Sequence, residues 1–137
     1  MTISTKGRYG LSFMVDVLEN QEDEAVRLKD SAARLELSEK YLEQIAITLS
    51  KAGLLQSSRG ARGGYRLSRN PEDYSVGEIL TVLEGDLAPA PCAAEEGTPC
   101  TRKDKCANSI LWEKINDAVH SVVDNVTLAD MCEWRKR

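Results

Sequence analysis

The sequence predicts a mostly α-helical protein with one small β-hairpin, in which an N-terminal domain is followed by a long helix. Three observations carry that fold class. Apolar residues recur at helical spacing in residues 3–20, 38–51 and 107–126. A glycine- and arginine-rich hexapeptide, RGARGG (59–64), separates two short strand-like runs. Between the two halves lies a polar loop holding three of the four cysteines.

A chain of 137 residues that is 42% hydrophobic fits one domain with a real core. No run of about 18 apolar residues is present, so no membrane span is expected. The start, MTISTKGRYG, lacks the apolar core and small-residue cleavage site of a signal peptide. The expected location is cytoplasmic and reducing, where clustered cysteines favour metal binding over disulfides. The net charge of −4 hides an asymmetry: residues 1–69 hold 11 basic and 9 acidic side chains, residues 70–137 hold 7 and 13. Arg59, Arg62, Arg66 and Arg69 stand together with no acid among them, a local basic stripe of the kind phosphate contacts need.

Along the chain, Tyr9, Leu11, Phe13, Met14, Val17 and Leu18 mark the apolar face of a first helix over 3–20, with Lys6 and Arg8 at its exposed beginning. QEDEA (21–25) is an acidic loop. Leu28 to Leu35 forms a short helix ended by a turn at Glu36-Leu37. Ser38 then caps EKYLEQIAITLSKAG, whose Tyr41, Leu42, Ile45 and Leu49 share a face and whose Gly53 lies just past the end. Two short helices across a tight turn make a helix-turn-helix, a pair that packs equally well as a plain helical hairpin. The strands Leu54–Ser58 and Tyr65–Ser68 change the balance, because the glycines between them permit a hairpin that displays arginines at its tip. A helix-turn-helix followed by a basic hairpin is the winged-helix arrangement, and it points to DNA.

Ser75 opens another helix ended by Gly85, with Ser75 and Glu78 spaced as a capping box. Pro89, Pro91, Gly97 and Pro99 make 86–106 a loop. In 107–126, Leu111, Ile115, Ala118, Val122 and Val126 step by four, three, four and four, a coiled-coil type of seam. A second copy of the chain is its natural partner; packing on the first helix is the alternative. Thr127 and Asp130 start a final short helix, and RKR ends the chain. The expected organisation is a winged helix-turn-helix DNA-binding domain over 1–85, a cluster-binding loop over 86–106, a dimerisation helix over 107–126 and a C-terminal helix and tail over 127–137.

The segments STKGRYG (4–10), SEKYLEQ (38–44), AGLLQSSRGARGGYRL (52–67) and VGEIL-x-VLEG (76–85), continuing through CANSILWEKINDAV and NVTLADM, resemble the bacterial winged-helix transcription regulators of the IscR/NsrR/CymR family. The resemblance covers essentially the whole chain. It implies a homodimeric, operator-binding regulator, mostly a repressor, with an iron–sulfur cluster on the loop cysteines in several members. The N-terminal half is most similar to the CymR type, which lacks those cysteines; the cysteine loop is similar to the IscR and NsrR types. By this resemblance the helix over 38–51 enters the major groove, with Ser38, Lys40, Tyr41, Glu43 and Gln44 at or near its reading end. Gln44 suits adenine or another base edge, and Glu43 a cytosine amino group. The acid matching Glu43 is associated with the choice between operator classes. Tyr41 is shared between core and phosphate contact. Arg59 matches a wing position that reaches a narrow A·T-rich minor groove. Arg62, smaller or neutral in many relatives, strengthens backbone contact. Thr5, Lys6 and Arg8 either touch phosphates or form a solvated helix start.

The cysteine spacing is Cys92-x7-Cys100-x5-Cys106. Thiolates are soft ligands suited to iron–sulfur clusters and zinc. The resemblance implies a 2Fe–2S cluster, with 4Fe–4S or zinc as alternatives, and a fourth ligand from outside the three thiols. In IscR-type members that ligand is a histidine three residues after the last cysteine, where this chain has Ser109; in NsrR-type members it is an acid of the partner subunit, whose counterpart is about Arg8, a residue that cannot ligate. Asp104, Glu95, Glu96 and Asn108 are the loop's own oxygen donors. His120 lies too far along the helix from Cys106, and Cys132 is read as a small apolar residue of the last helix. A thiol redox switch and a co-regulator protein are the metal-free alternatives. A thiol oxidoreductase is disfavoured by the absence of a CxxC pair.

Overall fold

The computed structural model describes residues 2–95 and 100–137. Glu96, a candidate oxygen donor, and the loop residues Gly97 and Pro99 lie outside them. Among the described residues are six α-helices, α1 (Thr5–Asn20), α2 (Leu28–Leu35), α3 (Glu39–Lys51), α4 (Val76–Glu84), α5 (Ala107–Val123) and α6 (Leu128–Arg135), and a hairpin of β1 (Leu55–Ser58) and β2 (Gly64–Leu67) that packs on α1 and α3. This is the predicted mostly α fold with a small β wing.

α1 is the central helix, with Phe13, Met14 and Val17 fully buried against Leu42, Ile45, Leu49 and Ile79. It starts at Thr5 rather than residue 3 because Ser4 caps it, accepting from the Gly7 N–H at 3.1 Å. The Glu84 carboxylate, at the far end of α4, accepts from the Ser4 N–H at 3.0 Å and from its hydroxyl. An acid eighty residues away thus does what a Glu in the helix's own first turn usually does. Gly7 and Gly10 let the helices touch, since a Cβ would strike the Glu84 carboxylate at one and the Leu83 side chain at the other.

α1 is locked to α2 by an ionic group. Asp16, 2% exposed, accepts from Ser31 Oγ at 2.6 Å and from the Arg34 guanidinium at 2.8 and 2.9 Å. Its hydrogen bond holds the Arg34 guanidinium above its ordinary value. The turn into α3 puts Glu36 at φ 56°, and the Leu37 N–H returns to Ala32 O at 3.0 Å. Ser38 caps α3 as expected, accepting from the Tyr41 N–H at 3.1 Å.

β1 and β2 pair antiparallel from Leu55↔Leu67 to Ser58↔Gly64, so the first predicted strand loses Leu54 and the second moves back by one residue. Leu54 is instead buried at the joint between α3 and β1, and Ser68 is bonded to Tyr74. The acidic loop contributes a third rung: Val26 and Tyr65 exchange two backbone bonds, of 2.9 and 2.8 Å, on the outer edge of β2. Gly64, at φ 155°, is required there because a Cβ would strike the Val26 carbonyl. Tyr74, fully buried, ties the wing to the body; its hydroxyl accepts from the Ser68 and Arg69 N–H groups at 2.8 and 3.2 Å and donates to Leu54 O at 2.7 Å.

The Ser75/Glu78 capping box is only half made. Ser75 accepts from the Glu78 N–H at 3.0 Å, but the Glu78 carboxylate turns to Arg69 at 2.6 Å. The full box forms at Thr127 and Asp130. The seam helix ends at Val123, short of 126, because the chain beyond it bonds back: Val76 N–H donates to Val126 O at 2.8 Å and Leu128 N–H to Tyr74 O at 3.1 Å. α5 does not lie along α1; it lies against Pro91–Ala93 and the start of α4, while α6 returns to α1. At 3.6 residues per turn α5 has three stripes. Val119 and Val123, with Val126 beyond, pack on Val76, Leu80 and Leu87. Leu111, Ala118 and Val122 face outward, 49% and 60% exposed at the first and last. Ser109, Glu113 and His120 run along the side opposite to that outward stripe.

Candidate nucleic-acid interface and cysteine loop

Ser38, Lys40, Glu43 and Gln44 are exposed along the first turns of α3, as base-reading residues must be, and exposed Ile47 extends the same surface one turn further. Tyr41 is half-buried, edge-on to Tyr9 at 6.3 Å. Ser38 uses its oxygen as a cap, leaving its proton free. Near α3, burial pushes the Tyr65 phenol up, with a smaller contribution from the Glu43 charge. At the start of α1, Thr5 and Arg8 are exposed and bonded to each other at 3.2 Å, while Lys6 is half-buried.

The basic stripe is less free than the sequence suggests. Arg69 pairs with Glu78, which is held below the ordinary carboxylate value by that hydrogen bond, and its guanidinium lies 4.9 Å over the Tyr74 ring. Arg66 donates to the backbone carbonyls of Asp23, at 2.9 Å, and Glu22. Arg62 lies 3.5 Å from Glu24, with both side chains largely exposed. Among the described residues only Arg59 of the four has neither a hydrogen bond nor an ion pair, and it stands at the wing tip. These partners are not evident from the sequence because they come from 22–24 and 78, outside the window in which the arginines cluster.

The cysteine loop is organised by Lys103. Its N–H donates to Cys100 O at 3.2 Å and its carbonyl accepts from the Cys106 N–H at 3.4 Å. Its ammonium pairs with Glu113 of α5 at 3.1 Å. That pairing raises it above its ordinary value, and the neighbouring Cys92 adds in the same direction. Cys92 lies on the 3-10 turn Pro91–Ala93 packed on α5, where Asn116 donates to Ala93 O at 3.5 Å. Cys92, Cys100 and Cys106 are half-buried, exposed and half-buried, and all are free thiols; Cys132 is buried, as expected. This donor chemistry fits an iron–sulfur centre. Among the described residues, however, no three His, Cys, Asp or Glu side chains are gathered closely enough to hold one metal.

Ser109 is buried and its hydroxyl is spent on the carbonyls of Cys106, at 2.8 Å, and Lys103, at 3.2 Å, so it is a structural clasp rather than a ligand. Arg8 is an exposed cation and supplies none either. Asp86, not singled out in the sequence, braces the loop by accepting from the Ala88 N–H at 2.8 Å and the Glu95 N–H at 3.1 Å. Glu95, Asp104 and Asn108 are exposed. His120 pairs with Asp124, the C-cap of α5, at 3.0 Å. A cleft of about 930 Å³ separates α4 from α5 and the 91–95 segment, with Thr81, Asp86, Asn116 and His120 in its walls. No described helix is long and apolar enough to cross a membrane.

An exposed reading helix, a wing with a free arginine at its tip and a separate thiol-bearing loop define a winged-helix transcription regulator. Residues 3–134 match the Rrf2 family, described as iron-dependent transcriptional regulators. The regulator CymR of Bacillus subtilis is 41% identical over 134 residues, covering 98% of this chain and 91% of its own. An IscR of Yersinia enterocolitica is 34% identical over 131 residues, 96% and 79% of the two chains. The solved structure of CymR, the global cysteine regulator of B. subtilis, superposes with a TM-score of 0.79 at 40% identity over 98% of both chains. That of T. potens IscR gives 0.78 at 41% over 97% and 87%. The chain belongs to the Rrf2 family of transcription regulators.

Proposed function

We propose that this chain is a cytoplasmic, homodimeric repressor whose operator binding is governed by an iron–sulfur centre held on Cys92, Cys100 and Cys106, reporting iron–sulfur status, redox state or nitric oxide. The observation carrying this reading is the placement of three free thiols in a polar loop tied through the backbone and side chain of one residue, Lys103, to α5. A 2Fe–2S cluster bound there supplies reversible, oxidant-sensitive iron–thiolate bonding. The chain's own residues do the rest. The outward stripe of α5, Leu111, Ala118 and Val122, fits a second copy of itself, setting two α3 helices about one DNA turn, roughly 34 Å, apart. Ser38, Lys40, Tyr41, Glu43 and Gln44 then meet the major groove. Arg59 meets the minor groove and Arg62 the backbone, with Thr5, Lys6 and Arg8 on flanking phosphates. With its thiols held at one point the loop is fixed on α5. With them released, α5 can shift across the α4 cleft, changing the separation of the reading helices.

Anaerobic purification with absorbance, iron and sulfide analysis tests the reading. Visible absorption with iron and sulfide bound to the dimer, lost on Cys100→Ala without loss of fold, is expected. Colourless protein after reconstitution would refute it.

A second reading is favoured by the dispersed ligands among the described residues and by the similarity to CymR. In it the chain is a cluster-free regulator of cysteine or sulfur metabolism, acting with a protein co-regulator or through thiol oxidation. Operator binding that is unaffected by iron but altered by oxidant or by a partner would select it.

A further inference from the structure

At about 100° per residue, Lys40, Glu43, Gln44, Ile47 and Lys51 fall within about 100° of arc on α3. All five are exposed, and the other side of the helix buries Leu42, Ile45 and Leu49. Ile47 sits near the middle of the exposed arc, one turn beyond Glu43 and Gln44, and is 41% exposed. The other large exposed apolar side chains among the described residues lie elsewhere: Ile110, Leu111 and Val122 on α5, Ile3 and Trp134 near the chain ends. An isoleucine on an exposed helix face is a poorer helix former than alanine and leaves apolar surface in water, so α3 itself is better served by alanine. With two lysines to one glutamate, the arc suits a polyanion rather than an apolar protein partner.

We infer that Ile47 is a specificity-determining residue that reads thymine, packing its side chain on the C5 methyl group in the major groove. This rests on α3 as the helix that enters the groove. Because Ile47 lies in the middle of the arc, a pose that brings both Glu43 and Gln44 to base edges also brings Ile47 to the floor of the groove. An aliphatic side chain has no hydrogen bond to offer, and thymine alone of the four bases presents an apolar group there. Ile47 lies roughly 4.5–6 Å along the axis from Gln44 and Glu43. At about 3.4 Å per base-pair step, its thymine is one or two steps from the pair they contact. The branched β-carbon holds the side chain largely in one rotamer on a helix, so little freedom is lost on contact. The contact discriminates by a methyl group, which the hydrogen-bonding side chains of Glu43 and Gln44 do not sense.

The probe is the duplex that the full-length protein enriches from a randomised pool. Each thymine of its half-sites is replaced in turn by deoxyuridine, which removes the methyl group and nothing else. Affinities of wild type and Ile47→Ala are measured by fluorescence anisotropy at one salt concentration, with circular dichroism confirming the fold and elution volume the assembly. At one thymine position, loss of the methyl should weaken wild type by about fourfold per half-site, the worth of one buried methyl group. Ile47→Ala should bind the unmodified duplex more weakly and bind the deoxyuridine duplex at that position equally well. If wild type distinguishes thymine from deoxyuridine nowhere, or if Ile47→Ala keeps the same discrimination, the thymine contact is refuted; a change of enriched sequence with Gln44→Ala then leaves α3 the reading helix. If Ile47→Ala shifts the elution volume at unchanged DNA affinity, the residue faces protein and the inference falls. If no duplex is enriched, or Glu43→Ala and Gln44→Ala both leave the enriched sequence unchanged, α3 is not the reading helix and both readings fall.

Discussion

Tyr74→Phe removes one oxygen atom from the centre of the protein and tests how the wing is held. The ring is fully buried and stays in place, so no cavity opens. What is lost is a three-way junction: the Ser68 and Arg69 N–H groups at 2.8 and 3.2 Å and the Leu54 carbonyl at 2.7 Å all lose their shared partner. Each hydrogen bond contributes about 0.5–1.5 kcal/mol net, and a buried group left unpaired costs about 1–3 kcal/mol. Ser68 is half-buried and Arg69 exposed, so water replaces part of the two donor bonds, while the Leu54 carbonyl has the least access to it. The total comes to about 2–4 kcal/mol. At roughly 3–4 °C per kcal/mol for a chain of this length, the melting temperature falls by roughly 6–16 °C. Thermal unfolding at fixed protein concentration measures it, and amide exchange should show protection lost first over Leu55–Leu67. A shift below about 2 °C with unchanged protection of the hairpin would show that the junction does not anchor the wing.

Arg34→Ala strands the Asp16 carboxylate with only Ser31 and a 3.3 Å contact from Asn20. Breaking a buried pair costs about 3–5 kcal/mol, but Arg34 is 39% exposed, so about 1–3 kcal/mol is expected in urea unfolding, partly recovered by adding Asp16→Asn; a loss below about 0.5 kcal/mol contradicts the lock. Glu78 titrates below its ordinary 4.5 when folded. Its stabilising effect is therefore fully present above pH 4.5 and disappears as the pH falls through the depressed folded value. The melting temperatures of wild type and Glu78→Gln should differ at neutral pH and converge in acid, and parallel curves down to pH 3 contradict the assignment. Arg59→Ala should weaken binding to an A·T-flanked operator in titrations at fixed salt, while Arg69→Ala, whose guanidinium is already occupied, changes affinity less; equal losses would deny the wing tip its special position.

Most of the helices were legible because periodicity and caps are local. Ser38, Ser75 and Thr127 all cap where their sequence context places them. Strand ends and the end of α5 were not, because they are set by partners distant in the chain: Val26 on β2, Tyr74 against Leu54, and 74–76 against 126–128. The same distinction runs through the sites. Thiols and reading-helix residues declare themselves by type and spacing. The hydrogen bonds of Arg66 to the backbone carbonyls of residues 22 and 23, and the ion pairs of Arg62 with Glu24 and Arg69 with Glu78, do not, because they arise only when the acidic loop and α4 fold against the wing.

The three stripes of α5 also bear on how such a chain diversifies. The outward apolar stripe, the attachment to the reading body and the contact with the thiol loop fall on different sides of a single seventeen-residue helix. A substitution on one side leaves the other two chemically untouched, so under the proposed function the loop contact can change without altering the outward stripe or the reading body.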